Sequence, residues 1–94
     1  METKPINVNF ERSARKAIDK LARKNQVAAT RIIAALEKYQ ANKDLLLVDA
    51  IRVTGTSNHR FRAGDYRVVF VFDDPINPTA INILDIGHRK DIYE

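Results

Sequence analysis

The spacing of the apolar residues changes halfway along the chain, and this change limits the possible folds most strongly. From about residue 10 to residue 40, apolar residues recur at every third or fourth position, the spacing of amphipathic helices. Further on, residues 66–73 and 80–87 form short, almost continuously apolar runs, which are typical of central strands. Helices followed by strands indicate an α+β fold.

The first half predicts one strand and two helices. Apolar and polar residues alternate over residues 6–10, the pattern of a short strand. Asn9 is expected to cap a first helix, from Phe10 to about Lys24. Asn25 marks a break, and a second helix is predicted over about Gln26–Gln40. Two amphipathic helices with so short a link form a helical hairpin.

About three strands are predicted in the second half. The sequence pattern does not determine the secondary structure of the apolar run at residues 45–48. Apolar and polar residues alternate weakly over residues 51–53. Strand-like runs follow at residues 59–63 and 66–73, and the last strand is expected at residues 80–87. Local hairpins imply a mostly antiparallel sheet with both helices on one face. The 94 residues are expected to form one domain.

A two-residue turn at Gly64-Asp65 determines which residues face each other in the predicted hairpin. Gly at the first central position between two strand-like runs favours a type II′ turn. Arg62 then lies opposite Arg67, and Arg60 shares their face of the sheet. The opposite, core-side face receives a set of apolar residues, Phe61, Val68 and Phe70.

Three arginines on one face suggest an anion site. Directly opposed arginines repel each other, whereas a phosphate would be held by their planar guanidinium groups. The alternative is a solvated face on which the arginines pair with Asp65 or Asp85. The anion site depends on the turn, because a shift of one residue would scatter the arginines over both faces.

The end of the chain supplies further candidates. His88, Arg89 and Lys90 directly follow the last strand, and Tyr93 comes shortly after. Histidine beside arginines is a candidate proton-transfer group, because its ordinary pKa is near 6.5. Alternatively, His88 is a surface or packing residue, and Tyr93 covers the edge of the core.

Composition favours a basic protein of the cytoplasm. The 16 basic and 12 acidic residues give a net charge of +4, which favours nucleic acid or an acidic protein partner, although a merely soluble basic protein has the same balance. The first five residues lack the apolar stretch of a secretory signal, and no run approaches the roughly 20 apolar residues of a membrane span. The absence of cysteine fits a reducing compartment.

Two motifs together resemble a known family. Residues 60–70, RFRAGDYRVVF, and residues 86–93, IGHRKDIY, are similar to the RelE/ParE toxin superfamily, in which an R-x-R-x-G-x-Y-R hairpin precedes a strand ending in G-H-R-x-x-x-Y. The resemblance implies the toxin of a type II toxin–antitoxin pair, with a cognate antitoxin as partner and DNA contacted only through that complex. Its RelE branch implies metal-independent cleavage of mRNA on the ribosome, by attack of a 2′-hydroxyl on the adjacent phosphate.

The resemblance also implies roles for individual residues. Arg60 and Arg67 would hold the phosphate and stabilise the charge that develops in the transition state. Arg62 would be a supporting phosphate contact. Arg89 would bind the phosphate or protonate the leaving group. Tyr93 would stack on a base or orient the nucleophile, and His88 would act as an acid or a base. Because an arginine has a pKa above 12, the base role is left to His88, Tyr93 or positioning alone. RNA contacts are expected from Lys90 and from the basic face of the first helix, which includes Arg12, Arg15 and Lys16. Alternatively, that helix face binds an acidic antitoxin segment or is only solvated.

Other functions remain open. Within the same superfamily, the chain could be a ParE-like inhibitor of DNA gyrase, or an inactive RNA- or protein-binding module. A metal hydrolase is disfavoured because the sequence has only two histidines and no cysteine, and no metal or other cofactor is expected.

Overall fold

A computed structural model describes residues 4–90 of the chain. Three helices and five strands follow each other along these residues: β1 (Asn7–Phe10), α1 (Arg12–Lys24), α2 (Gln26–Ala41), α3 (Lys43–Asp49), β2 (Ile51–Arg52), β3 (His59–Ala63), β4 (Tyr66–Phe72) and β5 (Ala80–His88). The α+β class, the N-terminal strand and the helical hairpin are as predicted. The structure adds a third helix and the short strand β2.

The five strands form one mixed sheet in the order β1-β5-β4-β3-β2. Strands β2 to β5 pair antiparallel with their neighbours, whereas β1 pairs parallel with β5. The parallel pair arises because α1 and α2 carry the chain away from β1, so that β5 returns beside it much later. The sheet is therefore mostly antiparallel, as expected.

The start of α1 differs from the prediction. The prediction that Asn9 caps a helix beginning at Phe10 was wrong, because both residues belong to β1 and the helix begins at Arg12. The Glu11 amide donates a hydrogen bond to the Ile83 carbonyl at 2.8 Å, which holds the chain in the sheet up to that point. Asn25 does separate the two helices, and its side chain accepts a hydrogen bond from the Ala28 amide at 3.1 Å.

The core lies between the helices and one face of the sheet. From the helices it takes Ile18, Ile32 and Leu36, each at most 5% exposed. The sheet contributes Phe61, Val68, Phe70, Ile81, Ile83 and Ile86. Burial of these side chains removes apolar surface from water, which is the main force that holds the helices on this face.

Helix α3 contains the apolar run at residues 45–48, whose secondary structure the sequence pattern did not determine. Leu46 is fully buried, whereas Leu45, Leu47 and Val48 are 41%, 45% and 80% exposed. A helix of seven residues has room for too few turns to repeat this pattern, so no helical period is visible in the sequence. Tyr39 joins α3 to α2, since its hydroxyl donates a 2.7 Å hydrogen bond to the Asp49 carboxylate. Burial first, and then this bond, raises the pKa of Tyr39 above its ordinary value.

The loop between β4 and β5 is organised by one carboxylate. Asp73 accepts hydrogen bonds from the Thr79 hydroxyl at 2.6 Å and from the Thr79 and Ala80 amides at 2.9 and 3.1 Å. These bonds favour the charged carboxylate and lower the pKa of Asp73 to about 2, with the Thr79 hydroxyl as the largest cause. The carboxylate therefore holds the two ends of the loop together.

This carboxylate predicts a particular pH dependence of stability. Because the pKa of Asp73 is lower in the folded protein than the ordinary value of about 3.9, its contribution is present above pH ~4 and is lost as the pH falls towards 2. Asp73→Asn should lower the melting temperature at neutral pH, and the difference from wild type should shrink between pH 4 and pH 2. Asp19→Asn, an exposed carboxylate in the middle of α1, is the matched control. A difference for Asp73→Asn that stays constant down to pH 2 would contradict this account.

Candidate functional site

The hairpin turn has the predicted geometry. Gly64 has a φ of 62°, and no residue other than glycine has a positive φ among residues 4–90. A two-residue turn with positive φ only at its first central position is of type II′. Arg62 pairs with Arg67 and Ala63 with Tyr66, which confirms the predicted register.

This register gathers arginines on one face of the sheet. Phe61 and Val68 are buried against the helices, so the residues that alternate with them project from the other face. Arg62 lies directly opposite Arg67, and Arg60, opposite Val69, is a diagonal neighbour of Arg67 at roughly 7–8 Å. Arg89 is close enough to act on the charge of Arg67 as well. We call these four residues, Arg60, Arg62, Arg67 and Arg89, the arginine cluster.

The electrostatics of Arg67 show that the cluster members act on one another. Desolvation is the largest cause that lowers the pKa of Arg67, followed by repulsion from Arg60, Arg62 and Arg89. The Nε atoms of Arg60 and Arg67 are buried, and both residues are partly exposed. On β5 the residue opposite Arg67 is Gly87, which has no side chain to cover the guanidinium. A bound anion would relieve the repulsion within the cluster.

A carboxylate also lies on the cluster's face of the sheet. Asp85 stands opposite Val69, and its carboxylate accepts a 2.9 Å hydrogen bond from the Ile86 amide. Desolvation, followed by repulsion from the three other arginines, lowers the pKa of Arg67. This face of the sheet therefore carries the four cations of the cluster and the Asp85 carboxylate.

His88 lies on the other face of the sheet. It pairs with Tyr66 across β4 and β5, on the side where the helices pack, and the two rings are 5.4 Å apart at 79°. Its Nδ1 atom accepts a hydrogen bond from the Lys90 amide at 3.2 Å. Arg89, the next residue, faces the arginine cluster. The structure thus brings Arg89 to the predicted site and separates His88 from it.

Asp49 is a candidate that the sequence did not indicate. It lines a cavity of about 220 Å³ together with two members of the cluster, Arg60 and Arg62, and with Tyr39, Ile51 and Phe61. Its carboxylate is held by the Tyr39 hydroxyl. No pattern in the sequence points to it, because Asp49 ends a helix that could not be predicted.

Solved structures resemble this chain over nearly its whole length. No family model and no curated protein matches the sequence. A chain of the RelBE2 toxin–antitoxin complex from Mycobacterium tuberculosis is 26% identical, with a TM-score of 0.61, and the match covers 92% of this chain and all of that one. A chain of the archaeal RelE–RelB complex from Pyrococcus horikoshii is 22% identical, with a TM-score of 0.69, and covers 95% of this chain and all of its own.

A third match is a chain of the YoeB–YefM complex from Staphylococcus aureus, 18% identical with a TM-score of 0.64, covering 90% of this chain and 98% of that one. The chain has the RelE-type toxin fold. The arginine cluster therefore lies on the helix-free face of a RelE-type sheet.

The remaining predicted residues lie away from the cluster or outside the described range. In this RelE-type fold, Arg12, Arg15 and Lys16 are exposed on α1, on the opposite side of the sheet. The guanidinium of Arg15 lies over the Phe10 ring at 4.7 Å. Lys90 is exposed directly after Arg89, and Tyr93 is outside residues 4–90.

Neither a cluster of metal ligands nor a membrane-spanning helix is found in the described part of the chain. Residues 4–90 contain no group of three or more His, Cys, Asp or Glu side chains placed to hold a metal ion. Over the same residues, none of the helices combines the length and the apolar character needed to cross a bilayer.

Proposed function

We propose that this protein is the toxin of a type II toxin–antitoxin pair and acts as an endoribonuclease that cleaves mRNA on the ribosome without a metal. The observation that carries the proposal is the arginine cluster, four cations on the helix-free face of the sheet. The RelE-type fold supports it, since the similar structures from Mycobacterium tuberculosis and Pyrococcus horikoshii are of a toxin–antitoxin and a RelE–RelB complex.

The cluster fits the chemistry of RNA cleavage. The 2′-oxygen attacks the adjacent phosphorus, the bond from phosphorus to the 5′-oxygen breaks, and a 2′,3′-cyclic phosphate and a 5′-hydroxyl remain. Negative charge increases on the phosphate oxygens during attack, and cations fixed in advance stabilise that charge more than they stabilise the starting phosphate. Arg67, with Arg60 and Arg62 beside it, serves this purpose. We assign to Arg89 binding of the phosphate or protonation of the departing 5′-oxygen, which becomes the 5′-hydroxyl.

Asp49 is our candidate for the proton acceptor. The 2′-hydroxyl must lose a proton, and an arginine with a pKa above 12 cannot accept it readily. The Asp49 carboxylate shares a cavity with Arg60 and Arg62 and is oriented by the Tyr39 hydroxyl. His88 lies on the opposite face of the sheet, next to Tyr66, so we do not assign it this role. The role of Tyr93 stays a prediction.

The same charges suit the proposed partners. An antitoxin with an acidic segment would neutralise the arginine cluster and block access to it. Arg12, Arg15 and Lys16 face away from the cluster, so we assign them to ribosomal RNA contacts, together with Lys90. These contacts position the enzyme without taking part in the reaction.

The first test maps cleavage ends on mRNA incubated with purified protein, with and without ribosomes. We expect new 5′-hydroxyl ends only when ribosomes are present, and Arg67→Ala should reduce their yield by at least about 100-fold, because it removes transition-state stabilisation. Lys4→Gln, which removes one exposed charge far from the cluster, is the control. Intact mRNA accompanied by gyrase-dependent DNA breaks would favour the gyrase inhibitor instead. Growth arrest without either lesion would favour an inactive binding module.

The second test concerns the proton acceptor. Asp49→Asn keeps the size of the side chain and removes its ability to take a proton, so cleavage should fall by about 100-fold or more while RNA binding changes little. Tyr39→Phe is the matched variant, since it removes the hydrogen bond to Asp49 but leaves the carboxylate, and it should keep most of the activity. Full activity of Asp49→Asn would exclude Asp49 from this role.

A further inference from the structure

A second groove lies on the helix side of the sheet, at the end that carries the Gly64-Asp65 turn. It has a volume of about 300 Å³. Its walls come from one side of α1 and from the ends of β4 and β5: Ala17, Lys20, Leu21, Lys24, Tyr66, Ile86 and His88. We call it the α1 groove. Its lysines and Tyr66 take no part in the cleavage chemistry of the arginine cluster.

Among residues 4–90, the charged side chains that line the α1 groove are two lysines. Lys20 and Lys24 are one helical turn apart, so their ammonium groups lie on the same side of α1 and repel each other. Within residues 4–90, no acidic side chain lines the groove. An anion between the lysines would relieve this repulsion, and Leu21 and Ile86 supply apolar surface beside it.

Two aromatic rings stand opposite the lysines. The rings of Tyr66 and His88 are 5.4 Å apart and nearly perpendicular. Because Nδ1 of His88 accepts the Lys90 amide, the neutral ring carries its proton on Nε2, which is left as a donor. Aromatic surface next to cations is the combination that holds a base and its phosphate in single-stranded nucleic acid.

We propose that the α1 groove binds a nucleotide that flanks the scissile phosphate in the same single-stranded RNA. Lys20 and Lys24 hold its phosphate, and its base packs against Tyr66 and His88. The inference rests on the proposed function and adds a second subsite to it. An acidic protein segment would use the lysines, but it would gain little from the two aromatic rings.

The order of residues along the strands connects the two sites. Tyr66 precedes Arg67 on β4, and His88 precedes Arg89, so alternate residues of the same strands line the groove and the cluster. RNA that passes around this end of the sheet reaches both sites. The groove would then determine which nucleotide step is presented to the arginines.

The test measures binding of a short single-stranded RNA with 2′-O-methyl groups, which cannot be cleaved, by fluorescence anisotropy over a range of salt concentrations. The double variant Lys20→Gln/Lys24→Gln should raise Kd by about tenfold and reduce the salt slope by about 0.7 for each phosphate that the protein no longer neutralises. Lys4→Gln/Arg23→Gln removes the same number of exposed charges outside the groove and should match wild type much more closely. Thermal melts establish that each variant is folded.

A separate pair of variants tests whether the aromatic ring at position 88 contributes to RNA binding. His88→Leu should weaken RNA binding, and His88→Phe, which restores an aromatic ring, should recover most of it, whereas a purely structural or purely charged role predicts no such recovery. A poly-glutamate peptide serves as the second probe, and its binding should be insensitive to the change from Leu to Phe.

The outcomes separate this inference from the proposed function. If the double variant binds RNA like its control while Arg67→Ala binds more weakly, the α1 groove is not an RNA subsite, although the arginine cluster remains one. The same conclusion follows if the lysine variants weaken the peptide but not the RNA. If wild-type protein binds no RNA at all, the proposed function fails first, and this inference fails with it.

Discussion

The type II′ turn at Gly64-Asp65 is the constraint on which the site depends. With positive φ at Gly64 alone, the turn joins β3 and β4 in a single register, and that register places Arg62 opposite Arg67. A shift by one residue would turn one of the two strands over, so that it buried guanidinium groups and exposed either Phe61 or Val68, at a cost that the core could not offset. The same apolar contacts that stabilise the sheet therefore hold the cations together.

The two faces of the sheet have different tasks. One face packs against the helices and provides most of the stability, so the other can carry repelling charges without loss of the fold. Desolvation is the largest cause that lowers the pKa of Arg67, and repulsion from Arg60, Arg62 and Arg89 adds to it. A phosphate bound to the cluster would weaken this repulsion, which is the physical basis of the proposed function.

Structural features that depend on neighbouring residues were predicted better than features that depend on contacts between distant segments of the chain. The pairing of Arg62 with Arg67 followed from two turn residues, because the type and length of the turn fix which residues of a hairpin face each other. The face of the sheet on which His88 lies depends on how β5 pairs with β4. That pairing includes a shift in register between Val69 and Phe70, which no local sequence pattern indicates. Proximity in sequence to Arg89 therefore suggested a common site, although consecutive strand residues point to opposite faces.

The location of Asp49 and the start of α1 also depend on contacts between distant segments of the chain. Asp49 joins the cavity of Arg60 and Arg62 only through the tertiary packing of α3, a helix too short to show a period. At the start of α1, Phe10 fits both the strand pattern and the helix pattern, and only pairing with β5 decides between them. The shared face of Arg60, Arg62 and Arg67 was predicted correctly because all three residues belong to one hairpin.

The most direct test of the central claim observes the guanidinium groups themselves. In a nitrogen-15 NMR titration with an uncleavable 2′-O-methyl RNA, the Nε–Hε resonances of Arg60, Arg62, Arg67 and Arg89 should shift together, in proportion to occupancy, while that of Arg23 on α1 stays in place. Shifts spread evenly over all arginines, or absent from Arg67, would contradict a phosphate site formed by this cluster.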